Sequence, residues 1–380
     1  MQHDQRAAPP AETSAPTAQG AEAAAGRAFA TDLSRFIAAA FVDVGLPPND
    51  AAKVAALMAE TDLTGADAHG VFRLPQYVRR IQAGGVNPKP DIAVRRTGPA
   101  TALVDGDNGM GHLVMARAAD EAVALARETG VAWIGVRRSN HAGSAGLYAE
   151  MPVKQGMVGI YAAVASANHM APWGGSESLL GTNPLAIGIP CGDAPPVVLD
   201  MATTVVSYGT VKTYALHGRA MPPDWMVSRV DGQPLTDSRR SGEGVLLPIG
   251  GHKGSGLALV LGLLGGPLNR AAFGRDVIDF NANQGGESNT GQFIVALDVS
   301  RFLPLEAFAA EVNRHLDDLR HSTPLPGGDP IRMPGDQRAV RRQERGERGV
   351  PIPAPLQAQL DAVAQTLGIE PLRIQRAGAR

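Results

Sequence analysis

Glycine and proline punctuate this chain more densely than anything else in it. The 380 residues include 45 glycines and 29 prolines, so tight turns and close backbone approaches are expected throughout. Between them stand short strand-like runs and helix-length amphipathic runs in alternation, a pattern that predicts an α/β or α+β fold. The longest apolar run, around 256–268, is broken by Gly262, Gly265, Gly266 and Pro267. No run reaches the roughly 18 residues that a membrane span needs.

Composition narrows the class further. A hydrophobic content of 44% with 19% charged residues is that of a soluble globular protein. The net charge of −2 gives no basic field for nucleic acid or an anionic membrane. A single cysteine, Cys191, excludes an internal disulfide and a cysteine-cluster metal site. There is no His-Glu-x-x-His, calcium loop or metal-spaced triad, so no metal is expected.

Along the chain, residues 1–27 are rich in Ala, Pro, Gln and Thr without apolar periodicity, and are expected to form a disordered tail. They lack the apolar core of a secretory signal, which points to a cytoplasmic protein. Helices are predicted over 31–44 and 50–63, over 112–128, up to about 155, over 304–320 and over 354–367. Strands are predicted near 100–105, at 131–136, in VGIYAAVA, in PPVVLDM and in FIVALDV. The region 168–190 reads as irregular, 218–240 as an exposed turn-rich excursion, and 338–349 as a highly charged stretch.

The stretch 64–90 concentrates chemistry. His69, Arg73 and Tyr77 recur every four residues, so a helix beginning near Gly70, capped by Asp67, would align them on one face. An imidazole, a guanidinium and a phenol together suit binding and protonating a small carboxylate-bearing carbonyl compound. A surface helix with its polar residues in water would show the same spacing. GGHKGSG, 250–256, is a glycine turn entering a helix, where backbone N–H groups and Lys253 could cradle phosphate; a structural turn is the alternative. It is neither a Walker loop nor a Gly-x-Gly-x-x-Gly fingerprint, which the chain lacks. SNHAGSAG, 139–146, places His141 in a loop at a strand end, and RMPGD, 332–336, places Arg332 beside a tight turn.

Taken in order, AHGVFRLPQYVRRIQAGGVNP, RRSNHAGSAGLYA, MAPWGG, GTNPLAIGIP, LDMATT, LLPIGGHKGSGLAL and MPGD resemble the malate/L-lactate dehydrogenase family that is distinct from the Rossmann enzymes. Its members include ureidoglycolate and sulfolactate dehydrogenases, diketogulonate reductase and Δ1-piperideine-2-carboxylate reductase. The resemblance covers roughly 30–370. It implies a non-Rossmann fold: a cofactor domain on a mixed, largely antiparallel sheet, plus a helical domain joining both termini. On that basis the chain divides into the tail 1–27, a helical substrate and dimer segment 28–95, a dinucleotide-binding domain 96–330 with an excursion at 210–245, and a returning segment 331–380.

The resemblance also implies a homodimer, NAD or NADP as cofactor, and a small 2-hydroxy or 2-oxo acid as substrate. By the same analogy His69 is the acid/base, Arg73 pairs with the substrate carboxylate, and Tyr77 and Thr182 lie on the substrate side. His141 takes either a catalytic or a cofactor role. Cofactor contacts are expected from His141, Ala142, Gly143, Ser144 and Ala145, from Leu199, Asp200 and Met201, from His252 and Lys253, and from Met333, Pro334, Gly335 and Asp336. One departure stands out: Ala68 occupies the place of the serine that usually precedes the histidine. The aspartate that completes the relay in the piperideine-type reductases is also missing, where this chain has Tyr208, Gly209 and Thr210. The expected function is reversible hydride transfer between NAD(P) and a small 2-hydroxy acid. A non-catalytic cofactor-binding relative is the alternative motivated by Ala68, and a phosphate-dependent hydrolase or transferase lacks a nucleophile or metal set.

Overall fold

The computed structural model describes residues 24–375. Most of the expected tail lies outside them, but Ala24–Ala28 forms strand β1 and corrects the tail's boundary. Helices α1 (Ala30–Asp43), α2 (Pro48–Leu63) and α3 (Leu74–Gln82) follow, then strands β2 (Ala93–Gly98) and β3 (Thr101–Asp105) and helix α4 (Gly111–Thr129). Next come β4 (Val131–Ser139), α5 (Gly146–Val153), β5 (Met157–Ala163), β6 (Leu185–Ile189), β7 (Val197–Met201) and α6 (Tyr208–Leu216). The chain continues through β8 (Met226–Ser228), β9 (Gly244–Leu246), α7 (His252–Gly265), β10 (Thr290–Asp298) and α8 (Leu305–Arg320). It ends in α9 (Asp336–Arg348), β11 (Val350–Pro353) and α10 (Ala354–Leu367).

Seven strands form the central sheet in the order β2-β3-β4-β10-β5-β6-β7. Only β3 and β4, joined through α4, pair in parallel; every other neighbour is antiparallel. The mixed, largely antiparallel sheet expected for the non-Rossmann fold is therefore present. Side-chain alternation covers both faces, as the two-residue period of a strand requires. Ile134 and Val136 of β4, Ile294 and Ala296 of β10 and Tyr161 of β5 pack with α4 and α5. Trp133, Phe293, Val295 and Ala162 point to the opposite face, where Leu261 of α7 meets them.

A second core joins the two ends of the described chain. Leu33, Phe36, Ile37, Ala40 and Phe41 form the buried stripe of α1 at helical spacing. They share a cluster with Val54 and Met58 of α2, Leu74 and Tyr77 of α3, Ile352 of β11, and Leu356 and Leu360 of α10. β1 pairs antiparallel with β11, closing the two ends on each other.

Several sequence expectations shift. The helix placed near Gly70 starts at Leu74; Asp67–His69 and Val71–Arg73 are separate 3₁₀ turns. Asp67 caps nothing, because its carboxylate is engaged by Arg345 of α9. The boundary drawn at 95/96 falls inside β2, and the irregular region 168–190 contains the whole of β6. The excursion has its own small core of Val211, Met221, Met226, Leu235 and Leu246, so it is not simply exposed. The charged stretch 338–349 is largely α9, and Arg345 within it is buried. Among the described residues no helix is long and apolar enough to cross a membrane.

Candidate active site

A cavity of about 1140 Å³ lies between the helical core and the sheet. His69 and Arg73 reach it from the two 3₁₀ turns, His141 to Ala145 from the loop after β4, and Thr182, Asp200 and Met201 from the β6–β7 side. Sequence reasoning named all of these, from segments more than a hundred residues apart.

The turn that carries His69 is held from below. Asp62, buried at the end of α2, accepts a hydrogen bond from the Val71 N–H at 2.8 Å. A Cβ on Gly70 would stand 1.9 Å from Asp62 Oδ1, so only glycine lets the chain pass this carboxylate. Arg345 closes the turn from the other side, donating to the Asp62 carbonyl at 2.6 Å and to the Asp67 carboxylate. Burial, with Asp67 nearby, holds the Asp62 carboxyl well above the usual carboxylate range. Orientation of His69 thus comes from its backbone and from stacking on His141, with ring centroids 5.6 Å apart. Ala68, where the relay serine is missing, faces Gly209, and its carbonyl accepts from Arg73 Nε at 2.7 Å.

Arg73 is aimed by a second bond, from Nη1 to Gln76 Oε1 at 3.0 Å. Gln76, three residues on, donates in turn to Phe280 O and Asn281 Oδ1, both at 3.2 Å. That loop is pinned by the fully buried Arg80 of α3, which donates to the carbonyls of Gly85, Asn283 and Gly286 and to Ser288 Oγ. Phe280 stacks on His141, centroids 5.1 Å apart.

Tyr77 lies just behind the cavity wall. Its hydroxyl is 2.6 Å from His141 Nδ1, which also accepts from the Gly143 N–H at 3.3 Å. A backbone N–H can only donate, so Nδ1 is an acceptor and the neutral ring carries its proton on Nε2. Asp200 ties β7 to the same loop, accepting from Ser144 Oγ at 2.7 Å and from the Gly146 N–H at the start of α5 at 2.8 Å.

Other expected residues stand off the wall. Leu199 points away from Asp200 along β7, as strand alternation requires. His252 and Lys253 are exposed in the first turn of α7, with His252 against Trp173. Met333 to Asp336 cover the sheet's edge: the Val198 N–H of β7 donates to Pro334 O at 3.0 Å, and Asp336 pairs with Arg320.

The site also contains groups that sequence reasoning missed. His169 stacks on Tyr208 at 3.6 Å, and Lys212 of α6 reaches the cavity beside Asn281. His112 is fully buried edge-on to Tyr77, and neither ring nitrogen has a partner among the described residues. Gln76 alone had a usable signal, its i,i+3 spacing from Arg73.

Electrostatically the site favours neutral imidazoles. Burial first, then Arg73 and His112, lowers His69 from 6.5 to about 3. Burial lowers His112 to about 3 and, with smaller effects from neighbouring charges, His169 to about 4. His141 is pushed well down by burial, Arg73 and the other histidines. Lys212 falls to about 8, through burial and then Arg73. Burial also raises the Tyr77 phenol.

Comparison with known proteins gives the family. A family model described as malate/L-lactate dehydrogenase matches residues 29–361. A malate dehydrogenase of Pyrococcus horikoshii is 36% identical over 347 residues, covering 90% of this chain and 95% of that protein. Its solved structure superposes with a TM-score of 0.83 at 34% identity, covering 91% of this chain and 97% of that one. An L-sulfolactate dehydrogenase of Methanocaldococcus jannaschii is 36% identical over 86% of this chain and 92% of its own length. A ureidoglycolate dehydrogenase (NAD(+)) of Escherichia coli K12 is 30% identical over 84% and 90%. The chain belongs to the malate/L-lactate dehydrogenase family.

Proposed function

We propose that this oxidoreductase transfers hydride between a nicotinamide nucleotide and a small 2-hydroxy or 2-oxo acid. The observation that carries the reading is the meeting of His69, whose ring has no hydrogen-bond partner among the described residues, with a pre-aimed Arg73 on one cavity wall.

The residues present fit the cofactor. A cavity of about 1140 Å³ is larger than a three- or four-carbon acid needs. Gln292, on its wall, presents a buried Oε1 acceptor with no partner among the described residues, suited to an amide donor. Ser144, Asp200, Gln292 and the 141–145 loop are the groups that would hold it. When bound, the nicotinamide supplies or takes up the hydride.

The protein's own part is binding and proton management. Arg73, fixed through Nε and one Nη1 hydrogen, keeps Nη2 and the second Nη1 hydrogen for a carboxylate, a two-point grip that orients the adjacent carbon. Neutral His69 removes the hydroxyl proton in oxidation. In reduction, the substrate carboxylate offsets the charge of Arg73 and raises the imidazole, which then donates its proton to the forming alkoxide.

A panel of 2-oxo acids assayed with NADH and with NADPH by nicotinamide absorbance tests the reading. At least one acid should be reduced, and His69→Asn should lower that kcat by about 10² to 10⁴-fold while leaving cofactor affinity unchanged. No reduction with either cofactor, or a mutant retaining more than about a tenth of the rate, overturns it.

A further inference from the structure

Two cations share this cavity without an acid between them. Arg73 Nη1 donates to Gln76 Oε1, Gln76 Nε2 donates to Asn281 Oδ1, and Lys212 Nζ donates to the same Asn281 oxygen. The bridge is made only of neutral amides. Among the described residues neither Arg73 nor Lys212 forms an ion pair. Asp279 stands behind the bridge, its Oδ1 taken by the Asn281 N–H and Nδ2, both at 2.8 Å. Tyr208 gives Lys212 a ring face, 5.6 Å from Nζ, and is itself clamped against His169. An ammonium braced this way is repelled by the nearby guanidinium. Asp279 offsets part of the Lys212 charge from a distance, but among the described residues no carboxylate pairs directly with either cation.

We propose that Lys212 is a specificity-determining residue that holds a second anionic group, a carboxylate or sulfonate, at the far end of the substrate. Arg73 takes the carboxylate beside the reacting carbon, and Lys212 takes the distal one. The inference rests on the hydride-transfer reading for its substrate but not for its two-cation site. It selects two-anion acids over acids with an uncharged tail. An acid of one charge balances only one of the two cations, and leaves the other partly desolvated.

Kinetics and binding together test this. Wild-type protein should reduce oxaloacetate with a kcat/KM at least about tenfold above that for pyruvate, the scale of one charge-assisted contact. Lys212→Gln should lose about 10- to 100-fold on oxaloacetate and no more than about twofold on pyruvate, with Lys212→Arg recovering part of the loss. Calorimetry on the free protein supplies a readout without turnover: succinate should bind more tightly than butyrate, and Lys212→Gln should erase the difference. Equal losses on both acids, a defect confined to NADPH binding, or a wild-type protein that treats succinate and butyrate alike each overturn the proposal. If no 2-oxo acid is reduced yet succinate binding still depends on Lys212, the hydride-transfer reading falls and the two-anion site stands.

Discussion

The phenol of Tyr77 and the Nδ1 of His141 lie 2.6 Å apart, joining α3 to the loop after β4. Tyr77→Phe keeps the ring in the helical core and removes only that contact. We expect a stability loss of about 0.5–1.5 kcal/mol, the net worth of one hydrogen bond. Turnover should fall more than stability suggests, because His141 loses one of the two donors that fix its tautomer. Urea denaturation and kcat on the same preparation separate the two effects.

Arg73→Lys tests the carboxylate grip. A lysine offers a point charge where the guanidinium offers a planar fork, so kcat should drop along with a rise in KM. Arg73→Ala should also lose most of the preference for an acid over its methyl-ketone analogue. If both variants discriminate acid from ketone as the parent does, the carboxylate is held elsewhere.

Gly70→Ala should cost about 1–3 kcal/mol, in the range of core overpacking, and abolish most activity. The new methyl would stand 1.9 Å from Asp62 Oδ1, and that carboxylate cannot retreat without releasing the Val71 N–H. Chemical denaturation reads the cost directly. A variant as stable and active as the parent would mean that Asp62 does not fix the turn.

Stability should fall on mild acidification. His112 has a folded pKa near 3 against an ordinary 6.5. Between those values the unfolded state binds more protons, so stability is full above about pH 6.5 and is lost as pH falls toward 3. From pH 7 to pH 5 this one residue accounts for about 2 kcal/mol. His112→Leu, which also removes two unpartnered buried nitrogens, should flatten that part of the pH–stability profile. Melting temperatures at several pH values for both proteins decide the matter.

The readable parts of the chain were those with local rules. α10 falls at 354–367, where the apolar spacing put it, because Leu356, Leu360 and Ala364 repeat on one face. The helix start near Gly70 was misplaced because Asp62, eight residues earlier, dictates the backbone there. α9 was hidden by a stretch of arginines and glutamates with no apolar stripe; its one buried side chain is a cation. The shared cavity of His69, Arg73, His141 and Asp200 was legible because their motifs are dense and ordered. Phe280, Asn281 and Lys212 had no such signal, since contacts across some 70 to 200 residues assemble them. MPGD was legible as a tight turn, while its part in covering β7 depends on which strand ends the sheet.

Arg345 gives the order of synthesis a consequence. The turn bearing His69 emerges early from the ribosome, yet the guanidinium that grips it on two sides is made nearly three hundred residues later. β11 and α10, which complete the core beneath that turn, come later still. A nascent chain carrying every side chain on the cavity wall would therefore still lack one of the two clamps on the His69 turn. Growing chains hold an incompletely braced pocket until the C-terminal segment arrives, and a frameshift between residues 340 and 345, which removes Arg345, β11 and α10, should silence the enzyme without changing a side chain on the cavity wall.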